Sequence, residues 1–224
     1  MGAGGPSGKT AKRRYLTRNS RQALLIFTRN PVLGSCKTRL AATLGDSRAL
    51  EVYRFLLRHT EGVAEALEGT DRYVYFSDSL GDGSHWDVSH FTHCLQHGED
   101  LGARMQKAFE AAFSEGYQRV CLIGSDLYDL RTRDLEEAFR LLESHEAVVG
   151  PAQDGGYYLL GLTRMFPGLF TAKKWGTSSV LSDTLNSLKG RAVAALPVRN
   201  DIDYYEDIAG HPDFEPFLKD LHHD

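Results

Sequence analysis

The chain has 224 residues, and its 30 acidic and 26 basic side chains give a formal net charge of −4 at pH 7. Hydrophobic residues at 42% and charged residues at 25% are the balance of an ordinary soluble globular protein. No apolar run approaches the roughly 20 residues that cross a bilayer, so no membrane span is expected. Six basic and no acidic residues fall within positions 1–21, while the rest of the chain is acidic and shows no basic stripe. That distribution predicts a disordered basic arm over 1–21 on a body without a nucleic-acid surface. Three scattered cysteines, Cys36, Cys94 and Cys121, fit a reducing cytoplasm better than a disulfide framework.

Residues 23–28 are a continuous apolar run of strand length. Pro31 and Gly34 punctuate the loop that follows, which then delivers Lys37, Thr38 and Arg39 near an expected helix start. A loop containing Gly34 that feeds cations after a first strand suits a phosphate: backbone N–H groups approach closely, and Lys37 and Arg39 neutralise charge. The Walker A spacing is missing, and a solvated loop with two surface cations is the plainer alternative. Residues 47–68 carry apolar side chains at helical spacing, and 72–76 read as a strand. Asp and Gly mark 77–84 as a loop. His85, His90, His93 and His97 surround Cys94. In a helix, three of these histidines would share a face and could hold zinc. The apolar residues between them keep no helical period and no metal-ligand frame is present, so hydrogen-bonded or solvated histidines are expected.

Leu101, Met105, Ala108, Phe109 and Ala112 repeat at helical spacing. Arg104 stands near the start of that helix, where a cation opposes the helix dipole, which makes it a candidate ligand contact. Residues 119–123 form a buried strand, and Gly124-Ser125-Asp126 throws an acid off its end. Open α/β sheets bind ligands there, although an acid at that position can equally cap a turn. Thr132 is placed to cap a helix carrying Asp134 and Glu136 in its first turn. Residues 147–150 and 157–162 are further strands. Between them, Asp154-Gly155-Gly156 removes side chains that would exclude a bulky ligand, or simply turns a hairpin. Thr177 or Ser178 should cap a helix running to about Leu188, and 192–196 is a late strand. Asp201 and Asp203 alternate on an extended segment and point to one side, which suits a hard divalent cation. Glu206 and Asp207 suit a helix N-terminus, and a short terminal helix is expected from Pro212. Alternating strands and helices predict one α/β domain over 22–224, a mostly parallel sheet with helices on both faces. The candidate side chains would meet along its carboxyl edge, where carboxylates and Mg²⁺ or Mn²⁺ could hold nucleotide phosphates.

The stretches FTRNPVLGSCKTRL, GEDLGARM, IGSDLYDL, VVGPAQDGGYYLLGL, WGTSSVL and DIDYYEDI occur in this order between about Leu24 and Asp207. They resemble the bacterial GT-A-type glycosyltransferases associated with arsenosugar biosynthesis and radical-SAM genes. Wider kin in the nucleotide-diphospho-sugar transferase superfamily are the molybdopterin and phospholactate guanylyltransferases. The resemblance implies a single-domain, Rossmann-like GT-A fold. It implies metal-ligand roles for Asp126 and Asp203, and nucleotide-phosphate contacts for Lys37 and Arg39. Gly155, Gly156 and Trp175 would lie on the sugar or acceptor side, with Asp154 a candidate catalytic base beside Asp126. Two positions depart from the family pattern: Leu127-Tyr128 stands for Cys-Pro or similar, and Tyr204-Tyr205 stands for Thr-Pro. The acids remain in place.

The leading expectation is a cytoplasmic, metal-dependent glycosyltransferase that uses a nucleotide-sugar donor and a small-molecule acceptor. A nucleotidyltransferase joining an NTP to a phosphorylated substrate, with release of pyrophosphate, is the alternative. A non-catalytic nucleotide-binding protein is a third, motivated by the two lost prolines.

Overall fold

The computed structural model describes residues 21–81 and 85–219. The basic arm expected over 1–21 lies outside the described residues except for Arg21, as do part of the 77–84 loop and the last five residues of the tail.

The elements follow in the order β1 (Gln22–Thr28), α1 (Thr38–Leu44), α2 (Asp46–Glu65), β2 (Asp71–Phe76), β3 (Thr92–Leu95), α3 (Leu101–Ser114), β4 (Arg119–Gly124), α4 (Thr132–Leu141), β5 (Ala147–Pro151), β6 (Tyr157–Leu162), α5 (Val180–Ser187) and β7 (Val193–Ala195). Two short 3-10 turns, Tyr205–Asp207 and Pro212–Phe214, lead into α6 (Glu215–Leu218). One seven-stranded sheet has the order β3-β2-β1-β4-β6-β5-β7. β6 runs antiparallel to both β4 and β5, and every other neighbouring pair is parallel. The α/β class and the mostly parallel sheet are therefore as the sequence predicts.

Alternation along the strands explains the two-sided core. Leu24 and Ile26 on β1, with Cys121 and Ile123 on β4, face Tyr53, Leu57 and Ala64 of α2 and Leu135, Ala138 and Phe139 of α4. Ala23, Leu25, Val120 and Leu122 point the other way, onto Met105, Ala108, Phe109 and Ala112 of α3 and onto Phe166, Leu169 and Phe170. A third cluster joins α1 and a second face of α2 to Ile202, Ile208 and Phe214. That cluster anchors the 201–208 segment beside the first loop.

The structure adds one strand and corrects two local expectations. The histidine-bearing segment includes an edge strand, β3, paired with β2. His93 Nε2 bonds the Trp86 carbonyl at 2.7 Å and His90 Nδ1 lies 2.7 Å from Glu65, so these rings have protein partners. The N-cap of α4 is Arg131, whose N–H donates to Asp134 at 3.0 Å, while the Thr132 hydroxyl donates to the Val63 carbonyl on α2. Helix α5 starts at Val180 after Ser179, because the Thr177 hydroxyl is engaged with the Lys174 carbonyl at 2.7 Å. No described helix is long and apolar enough to cross a membrane.

Candidate active site

Six of the seven strands end on the same edge of the sheet, and a cleft of about 830 Å³ opens there. Its lining comes from the segment after β1 (Arg29, Lys37, Arg39), the ends of β2 and β3 (Ser77, Gln96), the start of α3 (Asp100, Arg104), the loop after β4 (Ser125, Asp126), and Asp154, Gly176 and Asp203. Clefts of several hundred Å³ with a few convergent polar groups suit small-molecule ligands.

Lys37 sits at the centre. Its backbone is left-handed, with φ +51°, immediately before α1. Non-glycine residues rarely adopt this conformation, and the cost is about 1–2 kcal/mol. The bend sends the side chain inward, where only 4% of it is exposed. Its ammonium donates to Asp126 Oδ2 at 2.8 Å and to Asp203 Oδ1 at 3.0 Å. Burial works against the charge, but the two carboxylates outweigh it and hold the lysine pKa above its ordinary value. Arg39 donates to the other oxygen of Asp203 at 3.1 Å and lies over the Tyr204 ring, 5.4 Å from its centroid.

Each acid is held from behind. Asp207 accepts the N–H groups of Asp203 at 2.8 Å and Tyr204 at 2.7 Å, and its other oxygen accepts from the Asn200 amide at 2.7 Å. The Asp126 loop is fixed through Ser125: its hydroxyl donates to Thr28 at 3.0 Å, and its carbonyl accepts from Thr60 at 3.1 Å. Tyr53 fixes the facing loop, since its hydroxyl both accepts the Arg29 N–H and donates to the Arg29 carbonyl, each at 3.1 Å. Asp201 lies in the same electrostatic field. Burial, and then the charges of Asp126, Asp154 and Asp203 against that of Lys37, push its pKa up to about 7.

The predicted residues divide into two groups. Lys37, Arg39, Arg104, Asp126, Asp154 and Asp203 line the cleft together. Gly34, Gly155, Gly156 and Trp175 are not in its lining. Gly34 turns toward α2, and a Cβ there would meet Asp46 at 3.4 Å. Gly155, at φ +88°, packs on the Ser178 backbone, where a Cβ would fall 2.3 Å from the carbonyl oxygen. Its freedom therefore serves a close approach within the chain. Trp175 covers Gly102 at the start of α3. Asp154 accepts the N–H of Gly156 at 2.8 Å, so it shapes its own turn while facing the cleft. Arg104 spans from the Gly98 carbonyl at 3.1 Å to Gln96 at 3.4 Å, bracing the 96–104 wall. At the departures from the family pattern, the Tyr128 hydroxyl donates to Asp213 and its ring stacks on Phe55, docking the C-terminal segment.

Sequence reasoning missed Tyr53, Thr28 and Asp207 as supports. The tyrosine reads as one more apolar position of α2 and the threonine as the end of a strand, so only the fold exposes them. Among the described residues no group of three or more His, Cys, Asp and Glu side chains could hold a metal ion. The Asp126–Asp203 pair still fits a hard divalent ion, because it already accommodates a cation between its oxygens. Such an ion commonly completes its shell with phosphate and water.

No curated protein matches the sequence. A structure from Desulfovibrio desulfuricans G20, provisionally assigned as a nucleotide-diphospho-sugar transferase, is 29% identical with a TM-score of 0.80 and covers 89% of this chain and 94% of its own. The 4-diphosphocytidyl-2C-methyl-D-erythritol synthase of Anaerococcus prevotii DSM 20548 shares the fold at 9% identity and a TM-score of 0.55, over 85% of this chain and 95% of its own. The manganese complex of Rv0371C from Mycobacterium tuberculosis H37Rv does so at 15% identity and 0.51, over 89% and 99%. The fold is thus that of nucleotide-diphospho-sugar transferases and their cytidylyltransferase-like neighbours. The family model described as an uncharacterized protein conserved in bacteria, DUF2064, matches residues 61–177, just over half of the chain. The chain belongs to the DUF2064 family.

Proposed function

We propose that this protein, an enzyme of the transferase class, is a metal-dependent glycosyltransferase that moves a sugar from a nucleotide-diphospho-sugar donor to a small acceptor hydroxyl. The observation that carries this reading is the Asp126–Lys37–Asp203 cluster with Arg39 attached, at the carboxyl edge of the sheet. The 29% identical Desulfovibrio protein, with its assignment, supports the donor class. The six sequence motifs support the finer resemblance to transferases associated with arsenosugar biosynthesis and radical-SAM genes. The same reading takes 22–224 as one domain acting in the cytoplasm, with the N-terminal arm apart.

In this account Asp126 and Asp203 hold Mg²⁺ or Mn²⁺. When bound, the ion supplies charge stabilisation for the departing nucleoside diphosphate. Lys37 and Arg39 neutralise phosphate oxygens, and a pair of cations at the start of α1 fixes the diphosphate in a single orientation. The arm of the cleft between Arg29, Ser77, Gln96 and Arg104 takes the nucleoside. Asp154, on the turn after β5, takes the proton of the acceptor hydroxyl as it attacks the sugar carbon. Its hydrogen bond to the Gly156 N–H holds that carboxylate in place.

One observation favours a second reading. Four cations, Arg29, Lys37, Arg39 and Arg104, line the cleft, which suits a triphosphate and hence nucleotidyl transfer. Product analysis separates the two. With Mn²⁺ and an acceptor mixture, release of nucleoside diphosphate from a nucleotide sugar supports glycosyl transfer. Release of pyrophosphate from an NTP, with no turnover of any nucleotide sugar, replaces it by nucleotidyl transfer.

A further inference from the structure

The geometry points to a rule for what this site accepts: it takes a divalent ion together with a nucleotide diphosphate, and resists the ion alone, because Lys37 holds the ion's place. This rests on the metal-dependent reading above and deepens it.

The ammonium of Lys37 lies within 3.0 Å of one oxygen of each acid assigned to the metal. The single charge of the ammonium and the double charge of the ion, forced into that space, would repel strongly, since the side chain is shielded from solvent. One of the partners must leave, and the surroundings identify which. Asp203 is pinned by Asp207 through its backbone and by Arg39 through its second oxygen. Ser125 and the Asp126 loop are tied to Thr28 and Thr60. Lys37 alone has a flexible four-carbon stem, and it leaves from a left-handed backbone that costs energy to maintain. Its charge, however, needs a new anion. The diphosphate of a nucleotide supplies one in the same cleft, next to Arg39. Nucleotide therefore draws the ammonium off the carboxylates, and the vacated oxygens take the ion. The two ligands bind with positive coupling, and by linkage each strengthens the other.

The test measures Mn²⁺ binding to the full chain by the loss of the free-ion EPR signal, in wild type and in Lys37→Met. The variant keeps the length of the side chain and removes its charge. Without nucleotide, Lys37→Met should bind Mn²⁺ about 10-fold or more tightly than wild type, within the usual 5–150-fold range of coupling. Mn²⁺ should raise its melting temperature more than that of wild type. Lys37→Arg, which retains the charge, should stay as weak as wild type. Lys37→Met/Asp126→Asn should lose the ion, which locates it. If Lys37→Met melts without cooperativity, Lys37→Gln replaces it with the same expectation. Equal Mn²⁺ affinity in wild type and Lys37→Met, with both affinities lost on Asp126→Asn, overturns the occupancy rule and leaves the proposed function standing. Absence of Mn²⁺ binding in every variant, with or without a nucleoside diphosphate, overturns the metal-dependent reading and this inference with it.

Discussion

Removing one hydroxyl, Tyr53→Phe, tests how the cleft is held. The Tyr53 ring is buried in the core between α2 and the sheet, and phenylalanine keeps that packing. What disappears is the pair of 3.1 Å hydrogen bonds to the N–H and carbonyl of Arg29, where β1 runs out of strand partners and enters the cleft, together with a longer 3.4 Å contact to the Thr28 hydroxyl. Each such bond contributes about 1 kcal/mol net, so the loss comes to about 2 kcal/mol. For a body of this size, 1 kcal/mol moves the melting temperature by roughly 2–4 °C, which gives a drop of about 4–8 °C. Urea unfolding followed by far-UV circular dichroism should show a lower midpoint with an unchanged slope. Nucleotide affinity should fall as well, because Arg29 lines the cleft. A change below about 0.5 kcal/mol would mean that water replaces the hydroxyl and that Tyr53 does not hold the loop; surface substitutions stay within that range.

Other predictions follow from the same contacts. Gly155→Ala must displace the Ser178 backbone and should lower stability by about 3 kcal/mol, whereas Gly176→Ala, at φ +78° in open space, should cost about 1 kcal/mol of backbone strain; equal melting temperatures for the two would refute the close packing of the 155–178 contact. Asp207→Ala removes the acceptor for three donors and should weaken Mn²⁺-dependent nucleotide binding about 5-fold or more, at a stability cost of about 2 kcal/mol. Wild-type affinity by calorimetry would show that Asp203 is placed by other contacts. Burial pushes the pKa of His59 below its ordinary 6.5. The unfolded chain therefore takes up that proton first, and stability should decline as pH falls through about 6.5. His59→Gln should flatten that part of the stability profile, and an unchanged profile would show that another group governs it.

Much of the architecture is legible in the sequence because local chemistry decides it. The apolar runs at 23–28, 119–123, 147–150 and 157–162 each became a strand. The helical repeats that include Tyr53 and Met105 became α2 and α3, buried on the expected side chains. β3 escaped notice because it is four residues long, lies on the sheet edge and is only partly buried, so it lacks an apolar run. The direction of β6 has no compositional mark; it follows from the short turn at Asp154–Gly156, which leaves no room for a crossover. Among the candidate residues, Asp126 and Asp203 stand out for their place after strands. Their common partner does not, because Lys37 is 89 residues from one and 166 from the other. Nor does the sequence mark the neighbours of Gly155 and Trp175, since the first packs on Ser178 and the second on Gly102 only once the chain has folded.

In the proposed function, Asp126 and Asp203 bind a nucleotide-diphospho-sugar through a divalent ion. A thermal-shift panel of nucleotide sugars and NTPs, with and without Mn²⁺, on wild type and Asp126→Asn tests it most directly, since a ligand that binds only the folded state raises its melting temperature. One nucleotide sugar should stabilise wild type more than any NTP, only with Mn²⁺, and Asp126→Asn, still folded, should lose the effect. Stabilisation that persists without metal, or survives in Asp126→Asn, would contradict it.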